Sequence, residues 1–159
     1  MKALLAKLEK IKGIAINYPD TVGESGLLFT QKDKDIQCSS FFHCTLTISC
    51  VSTFLIESAI FNKPAINLLC GTWKTNLYNI KIKNLIIQHL KRIYDYKCTY
   101  NIESLDELPT SISDILKFPQ QREVLRRQLV NTEIPVNRGT SKKFFCDRII
   151  NLAKNHSKY

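Results

Sequence analysis

Residues 48–68, ISCVSTFLIESAIFNKPAINL, decide the fold of this chain. The segment opens inside TLTISCV, residues 45–51, a β-branched run nearly free of charge that predicts a strand. Ser52 and Thr53 stand where a helix starts, and FLIESAIFN supplies its body. Pro64 closes that helix, and Ala65–Leu69 reads as a second buried strand. A strand, tight turn, helix and strand in this order make a βαβ unit. Continuous apolar strands of this kind suit a parallel sheet covered on both faces.

Outward from this unit the pattern predicts more helices than strands. Leu4, Leu5, Leu8 and Ile11 give residues 2–12 one apolar helical face. GIAINYP, residues 13–19, reads as a short β-run ended by Pro19 and Asp20. The turn-rich DTVGESG leads to a second apolar run at Leu27–Phe29, and Asp33 to His43 reads as a helix. Downstream, residues 82–93 have a helical apolar pattern and Tyr96–Ile102 reads as the last strand. Ser104 and Glu107 form a capping box opening a helix to about Lys117. Helices over 120–130 and 141–154 follow, the last placing Phe144, Phe145, Ile149 and Leu152 for docking. No internal repeat, low-complexity tract or long linker divides the chain, so residues 1–159 are expected to form one α/β domain: a Rossmann-like parallel sheet flanked by helices.

Composition narrows the function classes. With 44% hydrophobic and 23% charged residues, wholesale disorder is excluded, and no apolar stretch reaches the roughly 18 residues of a membrane span. The N-terminus has lysines spread along it and no small-residue cleavage site, so it reads as an amphipathic helix and the chain is expected in the cytoplasm. Cys38, Cys44, Cys50, Cys70, Cys98 and Cys146 contain no C-x-x-C pair; they read as reduced, buried small hydrophobes, and no metal is expected. The formal net charge of +9 fits a phosphorylated ligand, an anionic membrane surface or nucleic acid. Dispersed lysines without interleaved aromatics and glycines speak against nucleic acid.

Chemistry centres on the turn after the first strand of the βαβ unit. Ser52 and Thr53 place hydroxyls and backbone N–H groups at a helix start, where amides and dipole favour an anion. Glu57 follows one turn later, with a carboxylate able to accept from a ribose diol. Ordinary capping by Ser or Thr, with a first-turn Glu complementing the dipole, accounts for the same residues. His43, just ahead of the strand, and His89, in the 82–93 helix, are candidate bases, though a lone histidine beside an apolar run is more often structural. No G-x-S-x-G elbow or G-x-G-x-x-G loop is present, which disfavours a hydrolase and a dinucleotide site.

The run STFLIESAIFNKPAI, residues 52–66, resembles the S-T-x-x-x-E-A-x-x-x-x-K-P-x-I pattern of GT-B enzymes related to UDP-N-acetylglucosamine 2-epimerase and to surface or capsular polysaccharide glycosyltransferases. Residues 102–119 and 137–153 are similar to later parts of those enzymes, though Arg138 stands in place of their aspartate and Arg148 lies further from Gly139. The resemblance implies a single GT-B-type half, the C-terminal, nucleotide-sugar-binding one. By it, Ser52 and Thr53 lie against the donor diphosphate, Glu57 contacts the ribose, and Lys74 or Lys63 supplies a cation, while Lys63 and Pro64 turn the chain into the next strand.

It further implies a UDP-linked donor, transfer without a bound metal or cofactor, an acceptor at the membrane, and a partner chain carrying the N-terminal half. The R-x-H-P segment of such domains is absent. The expectation is therefore a fragment, one subunit of a two-chain transferase, or a degenerate relative that has become an interaction module.

Overall fold

The computed structural model describes residues 2–20, 29–74, 79–81, 84, 90–136 and 138–156. They belong to two compact units, Met1–His43 and Cys44–Tyr159.

The first unit carries α1 (Lys2–Leu8) and α2 (Gln31–His43). Its best-defined local feature is the start of α2. The Asp33 carboxylate accepts from the Asp20 N–H at 2.8 Å, the Thr30 N–H at 2.8 Å and the Thr30 hydroxyl at 2.7 Å. The Asp33 N–H donates back to Thr30 Oγ1 at 3.2 Å, so the two residues cap the helix reciprocally. These bonds, the Thr30 hydroxyl first, hold the Asp33 carboxyl below the usual carboxylate range. The expected strand over residues 13–19 is corrected. Residues 14–20 form no ladder, and Ile14 and Tyr18 are exposed, so among the described residues the apolar side chains there have no sheet to join.

All five strands among the described residues lie in the second unit. β1 (Thr47–Ser49), β2 (Ala65–Leu68) and β5 (Tyr100–Ile102) form a parallel sheet in the order β1-β2-β5. β3 (Thr72–Lys74) and β4 (Asn79–Lys81) make a separate antiparallel pair. The register sets Ile48 beside Ile66 and Ser49 beside Asn67, then Asn67 beside Asn101 and Leu68 beside Ile102. Alternation along each strand sorts these side chains onto two faces.

One face carries Ile66 and Ile102, both fully buried against Ile115 of α5 (Leu108–Lys117), with Leu46, Leu68, Tyr100 and Ile112 around them. The opposite face is covered by α3 (Phe54–Ile60) and α6 (Glu123–Glu133). There Leu55 and Ala59 of α3 meet Leu129 and Val130 of α6, together with Ala65, Cys98 and Ile93 of α4 (Lys91–Asp95). Helices on both faces of a parallel sheet make this an α/β architecture, as the βαβ reading requires. Ile48, on the β1 margin, remains 43% exposed.

The capping box before α5 is present. Ser104 Oγ accepts from the Asp106 N–H, the Glu107 carboxylate accepts from the Ser104 N–H at 2.9 Å, and a short 3-10 turn, Leu105–Glu107, leads into α5. Residues 85–89, the middle of the helix expected over 82–93, lie outside the described residues, as does most of the run at Leu27–Phe29.

Two further expectations are corrected. The last helix, α7 (Ser141–His156), forms but does not dock: every described side chain from Ser141 to Lys154 is exposed. Its periodicity reported an apolar face without specifying a cover for it. Nor are the cysteines uniformly buried, since Cys38, Cys50 and Cys146 are exposed and only Cys98 lies in the core.

Candidate functional site

The junction between β1 and α3 leaves the carboxyl edge of the parallel sheet beside the end of β2. Val51 adopts φ 25°, a conformation rarely taken by a β-branched residue. Its N–H donates to Asn67 Oδ1 at 3.0 Å, and Asn67 is itself buried. Asn67 Nδ2 donates to Asn101 Oδ1 at 3.0 Å, and the Thr99 hydroxyl reaches the same oxygen at 3.1 Å. A polar chain thus crosses the sheet from β5 through β2 to the turn after β1 and holds Val51 in its strained form. Satisfied buried hydrogen bonds contribute about 1 kcal/mol each, and orphaning one partner costs more.

Ser52 and Thr53 follow. The Ser52 hydroxyl oxygen accepts from the Phe54 N–H at 3.2 Å, while the Leu55 N–H reaches Ser52 O at 3.1 Å and the Ile56 N–H reaches Thr53 O at 2.8 Å. Thr53 is exposed, sits in the helical region at φ −58° and makes no side-chain cap bond. The amides of Phe54, Leu55 and Ile56 at the start of α3 are therefore engaged locally, and the Thr53 hydroxyl takes no part in the cap. Glu57, half-buried, follows Thr53 by four residues and so lies on the same side of α3, one turn along. Behind the turn, Val51, Ser52, Leu55, Asn67, Leu90, Ile93 and Tyr94 line a cavity of about 10 Å³, the size of one water.

The remaining candidates sit on other elements. Lys74 ends β3, opposite Asn79 in the antiparallel pair. Lys63 follows the far end of α3, where its N–H bonds Ser58 O and the chain enters β2, so the helix separates it from Ser52. His43 is the last residue of α2, in the first unit, exposed and packed edge-on against the Phe42 ring at 5.1 Å. His89 lies outside the described residues.

Among the described residues, no cluster of three or more His, Cys, Asp or Glu side chains could hold a metal ion, and no helix is long and apolar enough to cross a membrane. The sequence reading passed over Asn67 and Asn101. Their signal was present: each is a lone amide interrupting an apolar strand, in AINL and YNI.

No family model matches the chain, and neither does any curated protein or solved structure.

Proposed function

We propose that this chain binds the diphosphate of a nucleotide sugar, with UDP as the nucleotide, over the β1–α3 junction, as the donor-binding half of a GT-B glycosyltransferase. The observation that carries this reading is Val51 at φ 25°, pinned by Asn67 at the carboxyl edge of the sheet. Strain of this kind persists where the surrounding structure enforces it, and it clusters at ligand sites. The same edge is where open α/β sheets take ligands. The phosphates would accept from the Ser52 and Thr53 N–H groups, Glu57 would accept from the ribose, and Lys74 would supply a cation. Because the cavity behind the turn admits only a water, the donor would lie over the exposed Thr53 side.

A second reading, a non-catalytic interaction module, is favoured by the local engagement of the first α3 amides. Calorimetric titration with UDP, CDP, GDP and UDP-N-acetylglucosamine separates the two. Donor binding predicts saturable uptake of one diphosphate, weakening as salt rises, with Glu57→Ala reducing affinity by about 1–3 kcal/mol. A folded sample that takes up none of them, or a silent Glu57→Ala, selects the interaction module.

A further inference from the structure

α7 is the longest helix among the described residues, and its apolar side chains are bare. Phe145 is 65% exposed, Phe144 56%, Ile149 and Ile150 50%, and Leu152 46%. At 3.6 residues per turn, Leu152, Phe145, Ile149, Ala153, Cys146 and Ile150 fall on one half of the helix circumference. The opposite half carries Lys143, Asp147, Asn151, Lys154 and Phe144, flanked by Arg148, while Lys142, in the first turn, falls within the apolar half, where its long stem lets the ammonium snorkel outward. Lys142, Lys143, Arg148 and Lys154 stand against a single carboxylate, Asp147.

We infer that α7 lies in the surface plane of an anionic lipid bilayer, with Phe145, Ile149, Ile150 and Leu152 in the headgroup boundary and its lysines against the phosphates. An amphipathic helix with Phe and Leu on one side and Lys and Arg on the other has the composition of an interfacial helix. Charge decides between a bilayer and a second copy of the chain. A protein of net charge +9 that presents a basic helix repels its own copy, whereas it is drawn to anionic headgroups. The inference goes beyond the donor reading and does not depend on it.

The test is co-sedimentation of the full chain with vesicles of phosphatidylcholine alone and of phosphatidylcholine mixed with phosphatidylglycerol, alongside light scattering of the free protein. The chain is expected to remain monomeric and to pellet with the anionic vesicles far more than with the neutral ones. Lys143→Ser combined with Lys154→Ser should lower partitioning about 25-fold, since each surface lysine contributes roughly a factor of five. Ile149→Asp should lower it at least about tenfold by removing an apolar anchor. Circular dichroism checks that each variant is folded, and the lysine pair carries the test by itself if Ile149→Asp is not. No pelleting with anionic vesicles, pelleting unchanged in the lysine pair, or a dimer that Ile149→Asp dissolves would overturn the inference.

Discussion

Val51 carries a β-branched side chain at φ 25°, where hard-sphere contacts disfavour any side chain and a branched one most. Positions of this kind hold about 1–3 kcal/mol of strain. Glycine ordinarily destabilises an element by about 1 kcal/mol relative to alanine. At residue 51 the order should invert: in urea unfolding, Val51→Gly is expected to be at least as stable as Val51→Ala. Alanine proving the more stable would mean that the junction relaxes to negative φ and that nothing enforces its shape.

Arg126 is the second unusual residue, 1% exposed inside α6. Its Nε donates to Asn62 Oδ1 at 2.9 Å and its Nη2 to Pro119 O at 3.2 Å, but Nη1 is buried without a partner among the described residues. Burial accordingly depresses its pKa. Removing the side chain opens a hole and strands its acceptors, so Arg126→Ala is expected to lose about 3 kcal/mol in denaturant unfolding. Arg126→Met, which refills the volume without a charge to desolvate, should lose less than half of that.

At the scale of the element, caps decide where helices begin. For α2 the sign of the pH effect follows from Asp33, whose folded-state pKa is lowered chiefly by the Thr30 hydroxyl. A depressed carboxylate stabilises the fold above its unfolded pKa, near 3.8, and that contribution disappears as pH falls through the lower folded value. The melting temperature should therefore drop on acidification below about pH 4, and Asp33→Asn should already be less stable at neutral pH and flatter across that window.

Local chemistry of this sort was partly legible in the sequence. The Ser104–Glu107 box and the end of α5 at Lys117 follow from residues alone, because both partners lie within four positions. Thr30 and Asp33 carry a similar spacing that the sequence reading missed. The β1–α3–β2 unit was legible because its strands are apolar runs broken by turn residues. Residues 13–19 looked the same but have no partner strand among the described residues, and pairing is not encoded in a local run. Ser52, Thr53 and Glu57 were legible as candidates from their place at a strand-to-helix turn and from the family resemblance. Val51 and Asn67 were not, since their bond spans sixteen residues and depends on the register of two strands.

For the whole molecule, the core on the α3 and α6 face can be followed through one thiol. Cys98 is 1% exposed, and burial pushes its pKa up to about 11, so it stays protonated and inaccessible in the folded state. Cys38, Cys50 and Cys146 are exposed. With Ellman's reagent near neutral pH, these three should react at once and Cys98 last, at a rate that follows opening of the core and rises with urea. Prompt labelling of Cys98 would mean that this layer opens without global unfolding.

The register of the sheet also dictates an order of assembly. β1 finds β2 across the short α3 connection, whereas β2 finds β5 only after a stretch of chain nearly twice as long has been brought back. The longer closure carries the larger entropic penalty, and parallel pairing gives nothing in return until it is complete. The β1–α3–β2 unit is thus the natural nucleus, and β5, followed in the chain by α5 and α6, is the late arrival. A nascent chain would have to keep the apolar faces of that nucleus out of contact with its neighbours until residue 102 and the helices after it had been made.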